Sequence, residues 1–483
     1  MIRMAAMVVG ALAGALVLAC GRGPNDGGTP ATATAVVPTA DAAQVTPTSV
    51  AVASVVATAA VAAATAAPDS QARPSSPPPD ASSGRLVFAA LNGAIYTVAP
   101  DGTDVRVLVE PDGPADSLGF RGALAWPVWS PDGETILYSA LIPDGRRGLN
   151  VSLRTVPAAG GGETLLFQDD PATSGIGSGV AHYAYWSPDS RRVAVIAGTA
   201  SGLTGELVNV ASGERPATLA DGAPIYYSWS SDSRHILVHH QEALRLYELD
   251  DEGHPVGSPR QIGSGSLDYF APNFSPAGDR ILYADTTDAV TKVFSSPFDG
   301  SAPTPMIEAE GRAAFAWAPD GRRVAVLSEQ SEGLFDRLTV LTAGGRQIFR
   351  MDRKSMISFW WSPDATKLAL TTVAQDAAGE NVIAVMVIDV RDQSEAQVAT
   401  LLPSDEFLFM QIYFDQFAHS IRMWSPDSTY LVLFGVVGDP LAQTAAYSSQ
   451  EPMERAGVWV IDVTGSRDPV AVGTGYIGSW SPR

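Results

Sequence analysis

Two groups of residues in this chain have types and spacing that bear on chemistry. The first is the run from Glu406 to His419, where Phe407, Phe409, Met410, Tyr413, Phe414 and Phe417 are interleaved with Asp415 and His419. Exposed, such a run is an aromatic binding patch; buried, it plugs the opening that its flanking elements leave. The second is the set of histidines His182, His235, His239, His240, His254 and His419. His182 and His419 each precede an apolar run, so with Asp415 and the aromatics Phe407, Phe409, Tyr413, Phe414 and Phe417 they make one candidate binding face. Two histidines fall short of the three or four protein ligands of a zinc site, and no metal is expected. His239 and His240 are neighbours in a strand-like run and point to opposite faces, so at most one serves any site. The chain has no His-Glu-x-x-His, no Gly-x-Ser-x-Gly elbow and no phosphate-binding glycine loop. No catalytic residue and no cofactor are assigned.

The elements that must position these residues are set by a repeat. Its phrase is Trp-Ser-Pro-Asp, then Gly or Ser, two polar residues and an apolar strand. It occurs at Trp129-Ser130-Pro131-Asp132, Trp186-Ser187-Pro188-Asp189, Trp229-Ser230-Ser231-Asp232, Phe274-Ser275-Pro276-Ala277, Trp317-Ala318-Pro319-Asp320, Trp361-Ser362-Pro363-Asp364 and Trp424-Ser425-Pro426-Asp427, and the chain stops inside Trp480-Ser481-Pro482-Arg483. The aromatic ends one strand and packs between sheets. Pro presets φ for a turn, and the Asp side chain caps it. A second turn, as at Ala99-Pro100-Asp101-Gly102, follows about twenty residues later in most units. Each unit therefore reads as strands A to D in one antiparallel sheet, which is a propeller blade. The predicted fold is an all-β propeller of eight four-stranded blades, with seven as the alternative. Strand A of the closing blade is Tyr476 to Trp480, and strands B to D come from residues 86 to 110, so the two termini share one blade.

This phrase resembles the repeat of TolB-type and tricorn-type propellers, over essentially all of residues 85 to 483. The resemblance implies the fold and not an activity, because that repeat serves many functions. It also invites two enzyme readings. A prolyl-oligopeptidase-like reading lacks its nucleophile elbow and its second domain. In some polysaccharide lyases with similar repeats, channel histidines hold a metal, which makes an envelope lyase or hydrolase the alternative to a binding protein. Longer units place their extra residues in B–C connections (141–148, 374–380, 435–455) and D–A connections (169–180, 404–420). Both connections emerge on one side of a blade, so one face of the disc is elaborated, and recognition usually sits on such loops.

The N-terminus carries an address. Arg3 precedes an apolar, uncharged run from Met4 to Ala19, shorter than the roughly 20 residues that span a membrane. It ends Val17-Leu18-Ala19-Cys20, and Cys20 is the chain's single cysteine. This resembles a lipobox, with Leu18 bulkier than the usual residue there. Residues 1–19 are then a lipoprotein signal peptide and Cys20 a lipid-modified N-terminus. Two or more acyl chains anchor stably where one does not. The expected place is the outer side of the cytoplasmic membrane or the outer membrane. Residues 20–84, rich in Ala, Thr and Pro, read as a disordered tether, and 85–483 as the propeller. A net charge of −21 disfavours nucleic-acid phosphates and anionic headgroups. The expected protein is a monomeric, non-catalytic envelope lipoprotein whose elaborated face binds a protein, peptide or glycan. Cys20→Ser is expected to release the chain from the membrane fraction or leave it unprocessed. Fractionation with mass analysis of the mature N-terminus reads this; full processing with unchanged membrane retention counts against lipidation.

Overall fold

The computed structural model describes residues 83–483 except 114–120, 145–148, 171–180, 200, 201, 216, 265, 267, 289, 330–333, 376–380 and 439–455. Cys20, the signal peptide and nearly all of the tether lie outside the described residues, as do parts of the long B–C and D–A connections. The regular structure of the described chain is almost entirely antiparallel β, with two short helices. After β1 (Leu86–Ala90), β2 (Ile95–Val98) and β3 (Arg106–Val109), four separate four-stranded sheets follow one another. They are β4 (Ala123–Trp129), β5 (Thr135–Pro143), β6 (Leu149–Pro157) and β7 (Thr164–Gln168); β8 (Tyr183–Trp186), β9 (Arg192–Thr199), β10 (Gly202–Asn209) and β11 (Thr218–Asp221); β12 (Ile225–Trp229), β13 (His235–His240), β14 (Ala243–Glu248) and β15 (Arg260–Ser264); and β16 (Asn273–Phe274), β17 (Arg280–Thr287), β18 (Val290–Pro297) and β19 (Thr304–Ala309). In each sheet, spatial order is chain order.

The remaining strands are β20 (Ala313–Trp317), β21 (Arg323–Ser328), β22 (Phe335–Thr342), β23 (Gln347–Trp361), β24 (Lys367–Gln375), β25 (Asn381–Asp389), β26 (Glu395–Pro403), β27 (Tyr430–Val437), β28 (Gly457–Asp462) and β29 (Val470–Trp480). With β1–β3 they form one 13-stranded ladder. Two strands explain its length, because each belongs to two repeat units. β23 pairs with β22 up to Met356 and with β24 from Met356 to Trp361. β29 pairs with β28 through Val470–Thr474 and with β1 through Gly475–Trp480, in the register Leu86↔Trp480 to Ala89↔Ile477. β26 pairs with β27 at Leu401–Pro403 alone, and Trp424 makes a single bridge to Leu431. The inner strand of that unit is short because the chain before it is helical, in α1 (Asp405–Ile412) and α2 (Phe414–Phe417).

The repeated phrase builds its turn as its residue types require. In Trp186-Ser187-Pro188-Asp189, Ser187 Oγ donates to Asp189 Oδ1 (2.6 Å) and accepts from Arg192 N (2.9 Å), while Asp189 Oδ1 also accepts from Arg191 N (3.1 Å). Ser190 then sits at φ 61°, where glycine is favoured and three copies instead carry Gly. At Ser190, Ser233 and Ser428 the hydroxyl gives something back. Each accepts the backbone N–H of the aspartate in an earlier copy: Asp132, Asp189 and Asp364 respectively, at 3.0–3.2 Å.

The tryptophans tie sheet to sheet. Each indole N–H donates to a backbone carbonyl on the inner strand of the preceding sheet: Trp129 to Ser479, Trp186 to Val128, Trp229 to Tyr185, Trp361 to Ala316 and Trp424 to Trp360, at 3.0–3.4 Å. Phe274 has no N–H to give, and the buried Nε1 atoms of Trp317 and Trp480 have no partner among the described residues. Apolar side chains fill the spaces between consecutive sheets, so the core is a series of inter-sheet layers. Deleting 475–483 removes the partner of β1 and the acceptor of the Trp129 indole together. Thermal unfolding of that truncation is expected well below that of the full chain, with apolar dye binding from two opened layers; an unchanged midpoint would show that β29 is dispensable to the fold.

Candidate functional site

The aromatic run that the sequence marks out is helical and lies across the axis on which the inner strands converge. Local signals set its start. Pro403 ends β26, and Ser404, at φ −67° and ψ 159°, caps α1 by accepting from Phe407 N (3.2 Å). Asp405 and Glu406 occupy the first turn, where acidic residues suit the helix dipole. The same Ser404 hydroxyl donates to the Tyr476 carbonyl on β29 (2.6 Å), which fixes the helix to the sheet.

From there the segment touches the inner strands in turn. Phe407 packs on Phe434 of β27, and Phe414 on Phe359 and Trp360 of β23. Tyr413 meets Phe270, and Phe417 is stacked on Trp126 of β4 (5.1 Å) and edge-on to Tyr183 of β8 (4.9 Å). Trp126 reaches the axis because β4 carries a bulge between Ala125 and Val128, with Trp126 at φ 54°. That left-handed conformation costs about 1–3 kcal/mol in a bulky residue. Burial of the facing rings, at about 1.5–3 kcal/mol each, offsets it.

Gln416, Gln411 and Asp415 bond to the surrounding strands and the segment before β16. Gln416 Oε1 accepts from Tyr227 N (2.9 Å), and its Nε2 donates to the Tyr227 carbonyl (3.2 Å) and the Tyr183 hydroxyl (3.0 Å). Thr371 Oγ1 and Trp360 Nε1 both lie 3.3 Å from Gln411 Oε1, and Ser358 Oγ also donates to it. Asp415 accepts from Ala271 N and Gln416 N, both at 3.0 Å, and burial raises its carboxyl to about 6. A small cleft between the segment and the strands around 268–271 and 312–314 is lined by Asp415, Arg312, Phe270 and Phe335.

Phe407, Phe409, Tyr413, Phe414, Asp415 and Phe417 are thus brought together, but each is buried, from 0 to 7% exposed. They form a plug and not an exposed aromatic patch, because the inner strands offer apolar surface on every side. His419 lies just past the plug, with Nε2 2.8 Å from Asn273 Nδ2. His182 is engaged elsewhere. Its Nε2 lies 2.8 Å from Asp169 Oδ1, and its backbone N–H donates to Ser139 Oγ (3.0 Å). Ser139, His182 and Asp169 are the residue types of a nucleophile, base and carboxylate. Yet the hydroxyl is 1% exposed, is occupied by that backbone N–H, and lies 3.4 Å from Nδ1. Its geometry is that of a staple between β5 and the segment leading into β8. Among the described residues no three His, Cys, Asp or Glu side chains gather as a metal site would require. Gln411, Gln416, Trp126 and Tyr183 were not singled out by sequence reasoning. The Pro403-Ser404-Asp405-Glu406 start of a helix was the available signal.

No family model matches this sequence, and no curated protein matches it. The TolB-type or tricorn-type character of the repeat is therefore not supported by a sequence family. Among solved structures the chain is similar to the dihydro-heme d1 dehydrogenase NirN, with a TM-score of 0.50 and 12% identity over 83% of this chain and 76% of that one. TolB from Acinetobacter baumannii gives 0.34 and 15% over 72% and 84%. An oligogalacturonate lyase from Vibrio parahaemolyticus gives 0.42 and 10% over 73% and 86%. These are propeller-like folds with differing activities in their names, and at such identity the likeness is one of fold.

Glu406 is the costliest group in the plug. Its Oε2 has no hydrogen-bond partner among the described residues, and burial raises its carboxyl to about 8, Asp405 adding to the effect. A rise from 4.5 to about 8 places roughly 5 kcal/mol on the charged form. The folded-state value lies above the unfolded one, so the carboxyl favours folding below about pH 4.5, and that contribution is lost as pH rises toward 8. Asp415 acts in the same direction up to about pH 6. His419, lowered to about 4 by burial, acts oppositely as pH falls below its ordinary value of 6.5. Glu406→Gln is expected to melt several degrees above the parent at about pH 8.5 and level with it at about pH 4.5. An equal difference at both values would show that ionisation is not the cause.

Proposed function

We propose that this chain is a cell-envelope lipoprotein, held by lipid on Cys20, that presents an eight-bladed β-propeller and binds a protein, peptide or glycan on the face bearing its B–C and D–A connections. The ring closes in a blade made of the second half of β29 with β1, β2 and β3. The register of β29 on β1 and the Trp129 indole bond to Ser479 support this closure. So does the Ser83 hydroxyl, which donates to Asp427 of the seventh repeat copy (2.7 Å).

The observation that carries the functional reading is the plug. It fills the axis on the elaborated face with buried aromatics whose polar neighbours are engaged with inner strands. That face then has a rigid floor, and a rigid scaffold that carries connections is an arrangement suited to recognition. The polysaccharide lyase or hydrolase reading drew on His182, His419 and Asp415. These have separate protein partners, Asp169, Asn273 and Ala271, which removes its specific support. The high net negative charge fits partners other than nucleic acid.

The test is capture from envelope extract by the immobilised full chain, beside a variant in which residues 439–455 are replaced by a short Gly-Ser turn. A partner retained by the parent and lost from the variant, with both chains melting alike, is the expected result. Capture indifferent to the replacement, or none at all, would refute recognition through this connection. Turnover of an envelope polysaccharide by the purified chain would refute the non-catalytic reading.

A further inference from the structure

Beyond the plug the chain descends along the axis from Ala418 to Met423 before it turns at Ser425. Most of this descent is buried: Ser420, Ile421 and Met423 are each under 5% exposed. Ala418 is exposed, however, and His419 and Arg422 are half-buried, as is Tyr185 on the facing β8. Three inner strands meet this stretch, through Tyr185 of β8 and Asn273 of β16 at His419 and Ser479 of β29 at Arg422, and partly open surface is left among them beneath the plug.

The polar groups of that space are donors without acceptors. The Arg422 backbone N–H donates to Ser479 Oγ (2.9 Å), but its guanidinium makes no hydrogen bond or ion pair among the described residues. Burial lowers its pKa, and the titratable side chain beside it is Tyr185, a neutral phenol. An arginine side chain in a protein stays protonated. A chain with 52 acidic and 31 basic residues thus places no carboxylate beside this guanidinium among the described residues. The Tyr185 hydroxyl likewise has no described hydrogen bond, and its ring stacks on His419 (5.5 Å). The histidine tautomer follows from its neighbour. Asn273 Oδ1 accepts from Trp317 N (3.2 Å), which turns Nδ2 to donate to His419 Nε2 (2.8 Å). The neutral ring then carries its proton on Nδ1, where no described acceptor meets it.

We infer that this axial space is a binding site for a small oxyanion, a carboxylate or a phosphate group, anchored by the Arg422 guanidinium with the Tyr185 hydroxyl and the His419 Nδ1–H as further donors. The planar guanidinium fork matches either group with paired, charge-assisted hydrogen bonds. An anion also supplies the counter-charge that a confined arginine otherwise lacks. The site lies on the axis beneath the plug and is independent of the partner-binding face proposed above.

Calorimetric titration of the full chain with acetate and, separately, with inorganic phosphate at constant ionic strength tests this. Saturable binding of either is expected, and which one binds identifies the group. Arg422→Gln is expected to weaken binding by about tenfold or more, and Tyr185→Phe, which removes one hydroxyl, by a few fold. Arg350→Gln, in an exposed ion pair with Asp352, should leave it unchanged. No saturable binding of either anion, or parental binding by folded Arg422→Gln, overturns the site. If Arg422→Gln fails to fold, parental binding by Tyr185→Phe overturns it.

Discussion

The indole N–H of the repeat tryptophan, donated to a carbonyl on the inner strand of the sheet before it, is the interaction on which the architecture turns. A single such bond is worth about 1 kcal/mol. Its importance is geometric, because one repeated contact sets both the spacing and the rotation between sheets. Trp129, Trp186, Trp229, Trp361 and Trp424 all make it. The turn that follows adds the second tie, where a serine at φ near 60° accepts from an aspartate N–H in an earlier copy. Strand A is thereby held innermost, and side-chain layers between sheets supply the apolar burial that hydrogen bonds do not.

Inner strands held at a fixed radius leave an axial opening that is costly to leave empty of protein where its walls are apolar. The segment 404–417 resolves this at one end. Its rings match Trp126, Tyr183, Phe270 and Phe359, and Gln416 satisfies the edge of β12, which has no further strand to pair with. Gln416 in particular pairs with both the N–H and the carbonyl of Tyr227, as a neighbouring strand would. The plug carries a penalty in Glu406 and Asp415, carboxyls held in a space that disfavours their charge. Aromatic packing outweighs that penalty, and the result is one segment that engages nearly every sheet at once.

The two faces of the disc therefore differ. On the proposed partner-binding face the segment 404–417 supplies a packed floor. Below Ala418, the partly open surface at His419 and Arg422 presents donors, which suits the small anion proposed above. Neither proposed role needs a nucleophile or a metal from this chain, and the buried Ser139–His182–Asp169 arrangement serves to hold a connection in place.

Sequence alone determined what depends on local chemistry. Trp-Ser-Pro-Asp dictates a turn between two strands wherever it stands, so β5, β9, β17, β24 and β27 begin where the phrase ends, and β1, β2 and β3 fall within the expected residues 86 to 110. The pairing of β29 with β1 agrees with the expectation that Tyr476 to Trp480 stands beside residues 86 to 110. Burial was not legible in this way. Phe407 to Phe417 have the same composition whether they face water or an axis, and only the convergence of inner strands from distant repeats decided that they are core. The same holds for the histidines. His182 and His419 stand at equivalent places before a strand, yet Asp169 lies within reach of one and Asn273 of the other. Those partners are brought near by tertiary packing, which no spacing along the chain encodes.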